Sequence, residues 1–284
     1  MKKPINIAAL LEKLPDADRP GTASKFTGPP PAEAEKLVAS VLSGGREAIL
    51  ELAEMIRDAN GGGEKNFKPG YLLHAVALRV GDKGRDKERQ VFTTAIASLL
   101  GGANPPPGAQ EFLLRELQCA GGAEVVKTLG GLLEKPDIWE HALSALVAIE
   151  TGAGDPLRKA LAGAKGRKRL ALLQALGSLR DKASTATLAA ATEDKDEDTR
   201  LAASWALARI ATPDCVQPVI KAAEKAESWE KIKANKSALL LAENLSSSGN
   251  KDKARETCNL LINANQEEDD SYVRDAAERI IAGL

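Results

Sequence analysis

Apolar side chains recur along this chain with the spacing of one face of an α-helix. Leu172, Leu176 and Leu179 follow the positions i, i+4 and i+7. A second segment shows a similar stripe, at Val216, Val219, Ile220 and Ala223. Such spacing is typical of amphipathic helices that bury one side. No alternating stretch of useful length indicates a strand, so the pattern predicts an all-α fold.

The helical segments repeat along the chain. Residues 168–179 align with residues 199–210 at an offset of 31 residues, and residues 273–281 begin a further copy. The same register returns in a ladder of leucines that steps by 29, 30 and 31 residues, at Leu117, Leu146, Leu176 and Leu207. One helix pair cannot bury its apolar stripe alone. We therefore expect successive helix pairs to stack on one another and form a solenoid of the α-α superhelix class.

Proline and glycine residues divide the chain into fifteen predicted helices. Their approximate bounds are 31–43, 46–59, 69–81, 85–100, 107–120, 123–134, 137–150, 155–163, 167–180, 183–192, 197–211, 214–226, 229–246, 250–264 and 270–283. We predict that residues 1–30 form an extended N-terminal segment with one short helix, which we call the lead-in. Residues 31–284 are predicted to form a single solenoid. The stretches 61–63 and 104–107 are interpreted as loops within it, because the repeat resumes beyond them.

Composition indicates how these helices pack. The chain has 48 alanines and 37 leucines among 284 residues, whereas aromatic residues make up only 3%. Small side chains such as Ala145, Ala175 and Ala206 let neighbouring helices approach closely, while leucines fill the space between them. The excess of alanine and leucine therefore favours closely stacked helices.

The charge balance and the N-terminus limit the function classes. Lys and Arg number 39 and Asp and Glu 40, a net charge of −1 that argues against binding nucleic acid or anionic membranes over the whole surface. The sequence contains no stretch of 18 apolar residues, so no transmembrane helix is predicted. The N-terminus resembles a weak signal sequence, but Asn6 and Glu12 interrupt its apolar run. We expect a cytoplasmic protein, or a periplasmic or secreted one if a signal peptide was removed before this numbering.

One stretch resembles a known repeat family. Residues 196–220 start with an acidic loop, continue through Arg200 into an alanine-rich helix, and reach a second helix after Thr212-Pro213-Asp214. This order resembles a HEAT repeat of the bacterial type found in phycobilisome-lyase-like proteins. Three segments are assigned from the resemblance: the best repeats at 109–226, a tetratricopeptide-like helix pair at 228–264 and a terminal half-repeat at 269–284.

The resemblance implies a structural role for a ladder of arginines. By analogy with such repeats, Arg169, Arg200 and Arg274 would pair with acidic residues of the turns, such as Asp181 and Asp214. HEAT repeats of this kind also occur as accessory modules of multidomain bacterial proteins, where a different domain performs the chemistry. The resemblance therefore implies a chain that is not an enzyme.

Candidate chemical groups are few. The P-loop, GxSxG, HExxH and CxxC motifs are absent from the sequence. His74 and His141 each lie on a predicted first helix of a pair, where a histidine is usually packed or solvent-facing. Cys119, Cys215 and Cys258 are too far apart for a disulfide framework and are interpreted as small buried residues. We expect no catalytic residue, no metal site and no cofactor.

The aromatic side chains give a weak signal for a ligand. Trp139, Trp205 and Trp229 lie at helix starts or within helices. They are interpreted as packing groups between repeats in preference to a cage around a ligand.

A local excess of cations is the clearest sign of a binding surface. Between residues 155 and 182, eight cationic residues face only Asp155 and Asp181. The candidate contacts for a nucleic acid or another anion are Arg158, Lys159, Lys165, Arg167, Lys168 and Arg169. On one rim of a solenoid they would contact phosphates as point charges. The favoured alternative is a solvated loop neutralised by the acidic residues of 193–198, since few aromatic residues are available to stack bases.

These observations predict a non-catalytic protein-interaction scaffold that binds a partner protein or an enzyme domain along the solenoid surface. We expect the second helices to line that surface, and we expect a monomer. Two alternatives stay open. One is a HEAT-fold nucleic-acid-binding protein that uses the basic cluster 158–182. The other is an accessory module of a sugar-active or chromophore-lyase enzyme.

Overall fold

A computed structural model of the chain describes residues 5–15, 28–57, 67–103 and 105–284. Every regular element in these ranges is a helix, which confirms the predicted all-α fold of the α-α superhelix class. No helix in the same ranges is both long and apolar enough to cross a membrane. The predicted loop 61–63, residue 104 and most of the predicted lead-in lie outside the described residues.

The chain divides into two compact units, Met1–Pro156 and Leu157–Leu284. We refer to them as unit 1 and unit 2. The division into a lead-in and a single solenoid stays a prediction, as do the segment bounds drawn from the family resemblance.

Unit 1 is built from helices that pack side by side. Its helices in the described residues are α1 (Ile7–Leu11), α2 (Pro31–Glu54), α3 (Lys68–Val80), α4 (Asp86–Ser98), α5 (Pro107–Ala120), α6 (Val126–Leu132) and α7 (Trp139–Ile149). The first helices of successive pairs are in contact, α3 with α5 and α5 with α7. The second helices, α4 and α6, pack against them.

Helix α2 contains the break that the sequence predicts between residues 43 and 46. Gly45 has φ 68° and ψ −147°, so the chain changes direction there before the helix resumes. A backbone with positive φ suits glycine, which has no Cβ. The two predicted helices 31–43 and 46–59 are therefore the two arms of α2, and the described helix ends at Glu54.

Unit 2 is also built from helix pairs. Helix α8 (Gly154–Leu161) spans the boundary, and the helices after it are α9 (Gly166–Ser178), α10 (Thr185–Ala191), α11 (Glu197–Ile210), α12 (Val216–Lys225), α13 (Ser228–Ser247), α14 (Lys251–Ala264) and α15 (Ser271–Ala282). The first helices α9, α11 and α13 lie side by side. The second helices α10, α12 and α14 each pack against a first helix.

The ends of α11 follow from local chemistry. The Asp196 carboxylate accepts hydrogen bonds from the backbone N–H of Thr199 at 2.9 Å and from its hydroxyl at 2.6 Å. These bonds cap the N-terminus of the helix and lower the pKa of Asp196. At the other end Ala211 adopts the left-handed conformation and its N–H bonds to Leu207 O at 2.9 Å. Alanine thus terminates the helix where a glycine is more usual.

The leucine ladder forms part of the core of both units. All four leucines of the ladder are fully buried: Leu117, Leu146, Leu176 and Leu207. Burying one leucine side chain contributes about 1.5–3 kcal/mol. Ala145 and Ala206 are also fully buried, and Ala175 is nearly so. The predicted packing of leucines between closely approaching alanines is therefore confirmed.

The last helix covers the end of unit 2. Ile280 and Ile281 of α15 are partly buried against a cluster formed by Ala242, Cys258 and Ala277. Helix α15 thereby buries part of its apolar stripe against α13 and α14.

The expectation of three buried cysteines holds for two of them and is wrong for the third. Cys215 and Cys258 are buried, and burial raises the pKa of Cys258 to about 11. Cys119 is exposed. It lies two residues after the buried Leu117, on the side of α5 that turns away from the core.

Candidate functional site

Two of the ladder arginines bond the loop before their own helix. The Nη1 of Arg200 donates to the backbone oxygens of Asp194 at 2.9 Å and Lys195 at 3.0 Å. The Nη1 of Arg274 does the same with two carbonyl oxygens, those of Asn265 at 2.5 Å and Glu267 at 2.6 Å. In both repeats a guanidinium ties the loop to the first turn of the helix.

The ladder also links neighbouring first helices. Arg200 forms a two-point pair with Glu230 of α13, in which Nε and Nη2 each lie 2.7 Å from a carboxylate oxygen. Lys231 stands 31 residues after Arg200 in the chain and pairs with Asp270 at 2.6 Å. Lys231 is not among the predicted ladder residues, although the same 31-residue step leads from Arg169 to Arg200 and on to this lysine.

The acidic partners of the ladder differ from those expected. Asp181 accepts hydrogen bonds from Nη1 of Arg158 at 2.6 Å, while Arg169 donates to Asp194 at 3.1 Å. Arg169 lies in the first turn of α9 and Asp181 follows the end of the same helix, about 18 Å away at 1.5 Å per residue. An arginine in the first turn therefore bonds the loop at its own end of the helix. Asp214 lies exposed in the turn Pro213–Cys215, and the three predicted ladder arginines bond other groups.

The basic cluster is only partly free for an external anion. Exposure divides the six residues, with Lys159, Lys165 and Arg167 exposed and Arg158, Lys168 and Arg169 half-buried. Arg158 and Arg169 are held in ion pairs. Arg167 and Lys168 also have interaction partners. Contact of this cluster with a nucleic acid or another anion stays a prediction.

An apolar groove with a volume of about 550 Å³ lies across the first helices of unit 2. We call it the tryptophan groove. Helices α9, α11 and α13 each contribute to its lining, chiefly through Leu170, Leu201, Trp205, Trp229, Lys233 and Lys236. Ligand sites of this size combine apolar walls with a few polar groups. The binding surface was expected on the second helices, whereas this groove lies on the first helices.

One glycine sets the position of Trp205 in the groove. A Cβ added to Gly177 of α9 would lie 2.6 Å from Cα of Ala206 and 3.0 Å from the Trp205 ring. Side chains larger than hydrogen do not fit at that separation, so glycine permits the close contact of α9 with α11. The Trp205 ring is half-buried, with the Arg209 guanidinium 6.0 Å from its centre.

Trp229 is the most accessible aromatic group of the groove. It lies in the first turn of α13 and is 52% exposed, with Nζ of Lys233 5.6 Å from its ring centre. The interpretation of the tryptophans as packing groups is therefore wrong for Trp229. The buried residues of α13, such as Ala234 and Ala238, lie on a different side of the helix.

A sequence signal for the groove exists on α11. Besides the buried Ala203 and Leu207, this helix carries Leu201 and Trp205, which are only half-buried. A helix with apolar residues around most of its circumference has more apolar surface than one core contact covers. The apolar positions of α11 therefore indicate a second apolar contact in addition to the core.

Unit 1 has a smaller apolar depression of about 290 Å³. It surrounds Leu78, which is 55% exposed, and its rim carries Glu35, Arg79 and Asp82. Arg79 and Asp82 pair with each other at 3.1 Å. Among the described residues, those that line the depression include no aromatic side chain, so it offers a partner less apolar area than the tryptophan groove does.

Unit 1 also pairs a histidine with a buried carboxylate. His74 Nδ1 on α3 lies 3.0 Å from Oε2 of Glu116 on α5. The hydrogen bond to Glu116 raises the pKa of His74, against the opposing effect of partial burial. Among the described residues, no three His, Cys, Asp or Glu side chains come together in a way that could hold a metal ion. The pair therefore offers one ionisable link between two repeats.

Comparison with known proteins identifies the repeat. The family model described as HEAT repeats matches residues 154–239. That segment runs from α8 into α13 and contains most of the tryptophan groove. A comparison with curated proteins finds no match.

Solved structures give two further similarities. One is the complex of CpcE and CpcF of phycocyanin lyase from Nostoc sp. PCC7120, at 18% identity and a TM-score of 0.36, covering 87% of this chain and 99% of that chain. The other is a designed armadillo repeat protein in complex with the peptide (KR)4, at 16% identity and a TM-score of 0.26, covering 97% of this chain and 98% of that chain. At these scores neither similarity supports an argument about function. The matched segment and its stacked helix pairs confirm, over residues 154–239, the HEAT repeat that the sequence predicted.

Proposed function

We propose that this chain is a non-catalytic protein-binding module whose partner docks on the tryptophan groove of unit 2. HEAT repeats are typical of scaffolds that bind other proteins over an extended surface. The observation that carries the proposal is Trp229, which is 52% exposed beside an apolar groove built by three successive first helices.

The energy available at Trp229 is sufficient for an anchor of an interface. A tryptophan side chain buries up to about 250 Å², so the exposed half offers roughly 125 Å² to a partner. At about 25 cal/mol per Å² this area contributes up to about 3 kcal/mol. Tryptophan is also enriched among the residues that dominate interface energies. Covering Trp229 therefore contributes enough free energy to anchor a partner.

The same helix offers a matched control. Ile232 is 44% exposed, only slightly less than Trp229, but it does not line the groove. An effect that depends on exposed apolar surface in general should appear at both positions. An effect that depends on the groove should appear at Trp229 only.

The test is partner capture by the tagged full chain in its source cell, followed by direct measurement with the purified partner. Wild type, Trp229→Ala and Ile232→Ala are compared by quantitative mass spectrometry and then by calorimetry. We expect a partner whose capture and affinity fall in Trp229→Ala and are retained in Ile232→Ala.

Circular dichroism and thermal melting show that the variants are folded. The proposal fails if no captured protein depends on Trp229, or if Ile232→Ala weakens binding as much as Trp229→Ala does. A captured nucleic acid whose binding requires Lys159, Lys165 and Arg167 would support the alternative function instead.

A further inference from the structure

The rim of the tryptophan groove carries a charge pattern. Lys233 and Lys236 are exposed on α13, and neither forms an ion pair within the described part of the chain. Lys231 on the same helix differs, because Asp270 holds it at 2.6 Å. Among the residues that the structure describes, Asp198 of α11 is the one acidic residue that lines the groove. The lining therefore contains two cations and one anion.

The position of Asp198 in its helix explains its negative charge, whereas no such explanation applies to Lys233 and Lys236. Asp198 lies in the first turn of α11, where a negative charge stabilises the N-terminus of a helix. Lys233 and Lys236 lie in the interior of α13, away from both of its ends. The helix dipole does not account for them, so two positive charges face the groove and are available to a ligand.

We propose that the occupant of the groove is an acidic peptide segment of a partner protein. One apolar side chain inserts beside Trp229, and neighbouring Asp or Glu side chains pair with Lys233 and Lys236. This inference rests on the proposed function and adds the chemistry of the partner.

A basic segment fits the groove poorly. The cation most favourable for the face of Trp229 is already supplied by this chain, since Lys233 Nζ lies 5.6 Å from the ring centre. A lysine or arginine of a partner would have to displace it and would meet Lys236 nearby. A carboxylate gains attraction from both lysines.

A nucleic acid also fits poorly. The groove borders the N-terminus of α11, where the preceding loop and the first turn together hold five acidic residues, at Glu193, Asp194, Asp196, Glu197 and Asp198. A continuous polyphosphate crossing the groove would approach this acidic segment. The Trp205 ring packs against Gly177 and is half-buried, so one of the two aromatic groups offers limited area for base stacking. A short peptide needs only one or two carboxylates, which lie at the lysines.

The groove also sets the length of the segment. Packed helices lie about 8–10 Å apart, so two steps from α9 to α13 span roughly 16–20 Å. An extended peptide rises about 3.3 Å per residue. Five to six residues, roughly, therefore cross the groove, and an eight-residue peptide is long enough to carry the whole contact.

The test uses an eight-residue random peptide library displayed on phage and panned on the immobilised full chain. Enriched peptides are synthesised with a fluorescent label and measured by anisotropy. We expect peptides that combine an aromatic or branched aliphatic residue with Asp or Glu. We expect Trp229→Ala to weaken their binding about 30-fold, as loss of a 2 kcal/mol anchor does.

Charge reversal tests the role of the lysines. The double variant Lys233→Glu/Lys236→Glu should weaken the acidic peptides about tenfold, and peptides with Lys in place of Asp and Glu should regain affinity for this variant. A matched double variant outside the groove, Lys159→Glu/Lys165→Glu, should leave binding unchanged. A labelled oligothymidylate should not bind at physiological salt.

The outcomes separate the two proposals. Peptides that require Trp229 but are basic, or that bind the Lys233→Glu/Lys236→Glu variant equally well, overturn the acidic partner and leave the proposed function standing. If no library peptide depends on Trp229, both proposals fail for this groove. Oligothymidylate binding that requires Trp229, or a dimer that Trp229→Ala converts to a monomer, overturns the peptide in favour of a nucleic acid or a second copy of this chain.

Discussion

The first helices of the two units share their buried positions and differ in what they expose. Six residues before the ladder leucine, unit 1 has Glu111 on α5 and Glu140 on α7. At the same position unit 2 has Leu170 on α9 and Leu201 on α11, and both line the tryptophan groove. One register of the repeat is therefore charged in unit 1 and apolar in unit 2.

A second register differs on one helix only. Two residues before the ladder leucine, unit 1 has Arg115 and Ser144 and α9 of unit 2 has Gln174, whereas α11 has Trp205. The leucine itself does not change and is fully buried in both units. The repeat thus holds the core constant, and the outward positions are where the two units have been specialised.

Replacing the ladder leucine should cost the same in both units. We expect Leu117→Ala and Leu207→Ala each to lower the free energy of unfolding by about 2–5 kcal/mol, because both side chains are fully buried. Leu78→Ala, at a position 55% exposed, should change it by at most about 0.5 kcal/mol. Urea unfolding monitored by circular dichroism measures all three. If replacing the ladder leucine by alanine left the free energy of unfolding unchanged in one unit, the two units would not share the same core positions.

Two glycines sharpen the comparison of packing. We expect Gly177→Ala to destabilise unit 2 by about 1–3 kcal/mol, because its Cβ would collide with the backbone of Ala206. Gly131 of α6 in unit 1 has nothing within 4 Å of an added Cβ. Gly131→Ala should therefore stabilise by about 0.5–1 kcal/mol through the helix propensity of alanine. Thermal unfolding measures both stability changes. If both variants shift the melting temperature in the same direction, the comparison of the two glycines is wrong.

The position that bonds the preceding loop is expected to show a smaller difference in stability between the two units. Seven residues before the ladder leucine, Arg200 bonds two loop carbonyls and Glu230, whereas Gln110 in unit 1 donates to Pro105 O at 2.6 Å. Hydrogen bonds to charged groups contribute about 1.5–3 kcal/mol and neutral ones about 1 kcal/mol. We expect Arg200→Met to destabilise the chain more than Gln110→Met does. Equal losses in urea unfolding would contradict that ranking.

The smallest expected effect is a pH dependence confined to unit 1. Because Glu116 raises the pKa of His74, the protonated pair stabilises the folded chain fully below about pH 6.5, the pKa of an unfolded histidine. This stabilisation is lost as pH rises through the higher folded pKa. A proton NMR titration of His74, in a chain with His141→Gln to remove the other histidine signal, should show Glu116→Gln lowering the pKa. An unchanged titration would exclude the pair.

Most of the fold could be predicted from the sequence, because helix spacing and chain breakers are local signals. The predicted helix 107–120 has the same bounds as α5, and the predicted break in α2 falls at Gly45. The predicted ladder leucines are all buried, since the repeat register determines which side of each helix faces its neighbour.

The candidate site could not be predicted as fully. The sequence gives the register of Arg169 but not which loop lies beside it in the stacked repeats, so Asp181 was chosen in place of Asp194. Trp229 marks the start of α13 in the sequence. Whether a residue in a first turn faces a neighbouring helix or solvent depends on how that helix is rotated, which local patterns do not determine.

Hydroxyl-radical footprinting of the tryptophans, with and without a bound partner or peptide, tests the central claim most directly. Trp229 and Trp205 line the groove of unit 2, and Trp139 begins α7 of unit 1 and serves as an internal control. The account predicts that binding lowers the oxidation of Trp229 severalfold and leaves that of Trp139 unchanged. Unchanged oxidation of Trp229, or protection of Trp139 alone, would contradict it.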